Sequence, residues 1–125
     1  MERVSPNIFV TDIHATVAFY TTLGFTINDS VVLPTGETVF VLMTWGTVIF
    51  MFQTFASIEG KLPAVSRIDG GSLLLYINIK GIRTFYDRIK DQVTIINGLE
   101  KTFYGATEFS ICDNNNYILT FAEDE

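Results

Sequence analysis

The side chains that could carry chemistry in this chain are few. There is one histidine, His14, and one cysteine, Cys112. A Ser–His–acid arrangement needs an imidazole within reach of its nucleophile, and His14 is the sole candidate base of that kind. His14 stands two residues beyond a helix-capping aspartate, on a face that points to solvent, so it makes no credible pair with Ser5. Cys112 could act as a nucleophile only as thiolate. No His or Arg lies near it in sequence to lower its pKa, so it reads as a buried structural thiol. Glu37, Glu59 and Glu108 are isolated carboxylates, for which a solvated role is the default. Glu108 differs from the other two, because it follows Tyr104-Gly105 in a strand and could face a cleft. Gly70-Gly71 has no strand-to-helix context, so it is not a phosphate loop.

Positioning any of these groups falls to a repeated pattern of elements. From Ser5 to Phe25 the chain reads as a strand, a cap, a helix and a glycine stop. Ile8 and Val10 are spaced as on one face of a strand. Asp12 is a good N-cap, since its carboxylate can accept from the first free amides of a helix. Ile13, Val17, Ala18 and Leu23 predict that helix's apolar stripe, and Gly24 its end. Strands follow over Phe25 to Leu33, Thr38 to Trp45 and Thr47 to Phe55, turning at Pro34-Thr35-Gly36 and at Gly46. These three form an antiparallel meander.

The segment from Ala56 to Gly71, with Gly60, Pro63, Gly70 and Gly71, has no clear period and reads as a linker. The order then repeats. A strand spans Ser72 to Ile79 and a helix Gly81 to Gln92, with Ile82, Phe85, Tyr86 and Ile89 at helical spacing. Three strands cover Val93 to Ile96, Thr107 to Cys112 and Tyr117 to Ala122. The polar turn Asp113-Asn114-Asn115-Asn116 joins the last two, since Asn tolerates positive φ. Aligning Phe19-Tyr20 with Phe85-Tyr86 also sets Asp12 against Asn78 and Leu23 against Ile89. The reading is a duplication within one domain over 1–125. Module 1 covers about 1–60, the linker about 56–71 and module 2 about 72–125.

Composition excludes several classes of function. The 125 residues are 48% hydrophobic, with eleven Phe and only 18% charged residues, which suits a packed core and not disorder. The net charge is −6 and no run of Lys or Arg appears. Nucleic acid and anionic membrane surfaces are therefore not expected as partners. No charged-then-apolar leader is seen, and no apolar run approaches ~18 residues. A lone cysteine fits a reducing compartment. The expectation is a soluble cytoplasmic protein.

The chain resembles the vicinal oxygen chelate superfamily, which includes glyoxalase I, extradiol dioxygenases, and fosfomycin and bleomycin resistance proteins. The residues that carry the resemblance are Val10-Thr11-Asp12-Ile13, Thr16-Val17-Ala18-Phe19-Tyr20 and Leu23-Gly24-Phe25. In the second half they are Tyr104-Gly105-Ala106-Thr107-Glu108-Phe109 and Cys112-Asp113. The resemblance implies an α+β fold in which two βαβββ modules form a curled mixed or antiparallel sheet around a central cleft. One departure is the turn before the last strand. Here it is Asp113-Asn114-Asn115-Asn116-Tyr117, where the family usually resembles Asp-Pro-Asp-Gly-Asn.

In metal-dependent members the resemblance places four ligands in the cleft. The corresponding positions here are Ser5, about Phe50, about Leu74, and Thr120. A divalent cation needs imidazole or carboxylate donors, which Ser, Phe, Leu and Thr do not provide. A shift of one or two residues rescues little; nearby, Gln53 could offer a neutral oxygen and Glu123 a carboxylate. No metal and no cofactor are therefore expected. Strand alternation, with the cleft on one face, proposes Ser5, Asn7 and Phe9, then Phe50 and Phe52, then Leu74 and Tyr76, then Ile118 and Thr120, as lining residues. Tyr104 borders the mouth and Glu108 faces in. Phe50 and Phe52 serve equally well as core. Tyr76 and Asn7 carry polar tips that need a partner.

The expected function is a metal-free binding protein that holds a small, partly aromatic organic molecule and forms a homodimer. The alternatives are a glyoxalase- or dioxygenase-type lyase or oxygenase with a displaced metal site, and a non-catalytic interaction module whose cleft is filled.

Overall fold

A computed structural model describes residues 1–62 and 64–125. Pro63, read above as part of the linker, lies outside the described residues. The chain divides into two compact units, Met1–Asp69 and Gly70–Glu125.

The first unit contains β1 (Asn7–Val10), α1 (Ile13–Leu23), β2 (Thr26–Val32), β3 (Thr38–Trp45), β4 (Val48–Thr54) and a short 3-10 turn, Phe55–Ile58. The second contains β5 (Leu74–Asn78), α2 (Ile82–Ile89), β6 (Thr94–Lys101), β7 (Ala106–Cys112) and β8 (Ile118–Asp124). Each unit has one four-stranded sheet, ordered β1-β4-β3-β2 and β5-β8-β7-β6. In both, the strand before the helix pairs in parallel with the last strand, and the other pairs are antiparallel. This is an α+β fold built from a repeated βαβββ module.

α1 begins where Asp12 accepts a hydrogen bond from the Ala15 amide at 3.0 Å. It ends at Gly24, whose φ of 125° a side chain would resist. Its buried stripe is Ile13, Thr16, Tyr20 and Leu23, not the Val17 and Ala18 that apolar character predicts. Thr16 can be buried because its hydroxyl donates to the Asp12 carbonyl at 2.8 Å. Tyr20 packs its ring edge-on against Phe25 (5.4 Å) and Phe50 (5.8 Å), and tilted against Phe52 (4.7 Å).

That packing corrects the expected facing of β4. Phe50 and Phe52 are 4% and 0% exposed and lie beneath α1. The opposite face of β4 carries Ile49, Met51 and Gln53, which are half-buried. The strand periodicity was readable, but its phase was not, because both faces of β4 are largely apolar. Phe52→Ala is expected to lower the unfolding free energy by about 3–5 kcal/mol. Met51→Ala, on the other face, should cost well under half of that. Urea denaturation of the two variants measures the difference, and equal losses would contradict the assigned facing.

In the second unit α2 is shorter than predicted, and Gly81 caps it in the left-handed region at φ 71° with no side-chain bond of its own. The cap comes from β8 instead. The Glu123 carboxylate accepts from the Gly81 and Ile82 amides, each at 3.0 Å. A negative group at these free amides also interacts favourably with the positive end of the helix dipole. Glu123→Ala should therefore destabilise the protein by about 1–2 kcal/mol, as loss of a good N-cap does. Hydrogen exchange should show earlier opening of the α2 amides than of β7.

Phe85 of α2 packs with Phe109 and Phe121 of the sheet as the counterpart of the first aromatic core, with Phe85–Phe121 at 4.9 Å and Phe109–Phe121 at 5.2 Å. β6 runs five residues past its predicted end at Ile96. Asn97 and Gly98 interrupt the apolar pattern, yet the strand bends through register shifts and pairs again as Glu100 with Glu108 and Lys101 with Thr107. The Asp113–Asn116 turn closes as expected, with Asn116 at φ 65°. Gly70 is required beside it, because a Cβ there would sit 2.7 Å from the Asn116 carbonyl oxygen.

Candidate functional site

One helix covers one face of each sheet, so alternate residues of every strand point the other way. In the second unit that other face is set by the ladders. Tyr76 lies beside Thr120, and Thr120 beside Ser110. Asn78 lies beside Ala122, and Ala122 beside Glu108. Leu74 lies beside Ile118, and Ile118 beside Cys112.

Four of the predicted residues meet here. The Tyr76 hydroxyl donates to Glu108 Oε2 at 2.5 Å, and the Tyr104 hydroxyl donates to the same oxygen. The Ser110 and Thr120 hydroxyls are hydrogen-bonded to each other at 2.8 Å and are nearly buried. Tyr76, Tyr104 and Leu74 are about half exposed, at 49%, 58% and 49%. Ser110 belongs to this group and was not foreseen. The signal was its position two residues from both Glu108 and Cys112, which puts it on their face of β7. It was overlooked because serine is unremarkable in a strand.

The phenols respond to the carboxylate. Both Tyr76 and Tyr104 are raised above the ordinary tyrosine value, chiefly because each O–H is held by Glu108. The cause is physical: ionising a phenol would break its hydrogen bond and set two negative charges side by side. Both groups are therefore protonated donors at neutral pH. The folded state binds protons more tightly than the unfolded chain above pH 10, so their contribution to stability is complete below that pH and fades as pH rises. Absorbance titration at 295 nm should show a late-ionising phase to which these two phenols contribute. Glu108→Gln should return both toward the ordinary range, and an unchanged titration would contradict the geometry.

The other predicted residues lie elsewhere. In the first unit Asn7 Nδ2 donates to Gln53 Oε1 at 3.0 Å, and Gln53 Nε2 donates to Ser57 at 2.9 Å. Phe9 stacks on Phe55 at 6.4 Å on that same face. Ser5 is half-buried just before β1, while Phe50 and Phe52 point to the opposite side. His14 is exposed, as its position implied. Cys112 is half-buried, and burial pushes its thiol up, away from the reactive thiolate.

The superfamily's metal positions do not fit a cation. Phe50 buries a hydrocarbon ring, Leu74 has no donor atom, and the Thr120 hydroxyl is engaged by Ser110. Among the described residues, no three His, Cys, Asp or Glu side chains gather where a metal ion could be held. A cavity of about 550 Å³ opens at the end of the β5–β8 pair, lined by Asn78, Ile79, Lys80, Ala122, Glu123 and Asp124. A smaller one, about 340 Å³, occupies the matching place in the first unit, lined by Asp12, His14 and Glu37 among others.

A family model described as "Bleomycin resistance protein-like N-terminal" matches residues 3–41. Among solved structures, a protein of unknown function from Agrobacterium tumefaciens str. C58 is 26% identical, with a TM-score of 0.79, covering 100% of this chain and 95% of its own. A bleomycin-binding protein complexed with bleomycin is 19% identical, with a TM-score of 0.68 and both chains covered completely. A glyoxalase/bleomycin resistance protein/dioxygenase family enzyme from Burkholderia phytofirmans PsJN is 19% identical, with a TM-score of 0.71 and 97% of each chain covered. The chain has the vicinal oxygen chelate superfamily fold. Among curated proteins none matches it in sequence. The superfamily hosts several chemistries on one scaffold, so the fold alone selects none of them. No helix among the described residues is long and apolar enough to cross a membrane.

Proposed function

We propose that this protein binds a small, partly aromatic organic molecule without a metal ion, on the face of the second unit's sheet that α2 leaves free. The observation that carries the reading is the convergence of Tyr76 and Tyr104 on one carboxylate oxygen of Glu108. Two exposed rings offer stacking surface, and a carboxylate with the Ser110–Thr120 hydroxyl pair offers directional polar contacts. A few polar groups set among aromatic and aliphatic walls is the usual make-up of a small-molecule site. The bleomycin-binding protein of the same fold supports the reading, as does a donor set that suits no divalent cation. The protein would act as a cytoplasmic homodimer. Exposed apolar residues on the edge strand β2 (Ile27, Val31 and Val32, each about half exposed) favour cover by a second copy.

The test uses protein purified without chelator. A fragment set of small aromatic compounds is screened by amide chemical-shift mapping, alongside elemental metal analysis and sedimentation velocity. The expected result is shifts centred on Tyr76, Tyr104, Ser110 and Thr120, metal well below one ion per chain, and a species of twice the chain mass. Near-stoichiometric Ni, Zn, Fe or Mn that survives dialysis would overturn the metal-free reading in favour of a lyase or oxygenase. Shifts confined to other surfaces would overturn the site.

A further inference from the structure

Resting on that binding reading, we infer that the Tyr76–Tyr104–Glu108 group recognises a cationic nitrogen, so that the ligand is an organic amine or ammonium with an aromatic body. Both phenols donate to Oε2 of Glu108, and among the described residues no cationic side chain pairs with this carboxylate. The two ion pairs among the described residues, Arg83–Glu125 and Lys90–Asp87, lie elsewhere. The residue directly across the ladder from Glu108 is a second acid, Glu100. Like charges facing each other across two strands are unfavourable unless something positive is shared between them.

The strand residues on this face include Glu100, Glu108 and Asp124, but neither Lys nor Arg. Lys101 pairs with Thr107, one step along on the side of α2. No cation on these strands offsets the Glu108 carboxylate.

The aromatic groups suit the same guest. Tyr104 meets Phe103 edge-on at 5.0 Å, and Phe103 is fully exposed. Tyr76 and Tyr104 thus place two accessible rings at one carboxylate, and Phe103 extends the aromatic surface beside Tyr104. Ring faces attract ammonium groups through their quadrupoles, and a carboxylate adds a charge-assisted hydrogen bond. An anionic guest would meet the like charge of the Glu108 carboxylate here. A neutral guest would leave the carboxylate's charge unused.

Three probes of nearly equal size isolate charge: benzylammonium, benzyl alcohol and benzoate. Binding is followed by chemical-shift titration of the wild-type protein and of Glu108→Gln, whose amide spectrum first establishes that it is folded. Benzylammonium should bind about tenfold or more tighter than benzyl alcohol, with benzoate weakest. Added salt should weaken benzylammonium alone. Glu108→Gln should bring benzylammonium down to the level of benzyl alcohol, while Tyr76→Phe, which keeps the ring, should lose less. Equal binding of benzylammonium and benzyl alcohol, unchanged in Glu108→Gln, would overturn cation recognition and leave the aromatic site standing. Tighter binding of benzoate would also overturn it. Failure of every probe to shift Tyr76 or Tyr104 would overturn both this inference and the binding reading beneath it.

Discussion

A single helix cannot cover both faces of a four-stranded sheet, and the organisation of this protein follows from that mismatch. In each unit one aromatic cluster clamps the helix to one face. Tyr20, Phe25, Phe50 and Phe52 do so in the first, and Phe85, Phe109 and Phe121 in the second. Each ring contributes a large buried area, and mutually edge-on or stacked rings hold one arrangement against sliding. Because side chains alternate along a strand, fixing one face also dictates which residues occupy the other. Glu108 points away from α2 for the same reason that Phe109 points toward it.

The two units apply this scheme with different contents. The free face of the first sheet carries apolar residues relieved by the Asn7–Gln53–Ser57 hydrogen-bond chain. The corresponding face of the second carries a carboxylate, two phenols and a hydroxyl pair. The helix caps diverge in the same way. Asp12 caps α1 from its own segment, whereas α2 borrows Glu123 from the far end of its unit. A duplicated scaffold thus keeps the packing requirement common and lets the uncovered surfaces diverge, as expected when stability and recognition are carried by opposite sides of a sheet.

The electrostatic character of the second sheet's free face follows from proton bookkeeping. A carboxylate that accepts from two phenols holds them neutral, and they in turn shield only one of its two oxygens. The charge remains available, close to polarisable ring faces. That combination is unlike a divalent cation site, where several anionic or imidazole donors must converge at short distance. It is equally unlike a nucleophilic site, since the thiol of Cys112 is raised and His14 stands alone on an exposed helix turn.

Much of the scaffold was determined by local sequence: both helices, the Asp12 cap, the Gly24 stop, the Asn-rich turn and the repeat itself. These depend on neighbours a few residues apart, where backbone geometry and spacing suffice. The grouping of Tyr76, Tyr104, Glu108 and Thr120 near one surface was also legible, because strand alternation and a short loop constrain it. Only the tertiary structure decided the phase of β4, where Phe50 and Phe52 turned inward, since a strand apolar on both faces does not reveal which one the helix will choose. It alone decided the continuation of β6 past Asn97-Gly98, the cap by Glu123 and the joining of two hydroxyls to one carboxylate oxygen. Each of those depends on partners brought together from distant parts of a unit, and pairwise contact across that distance is not encoded by spacing along the chain.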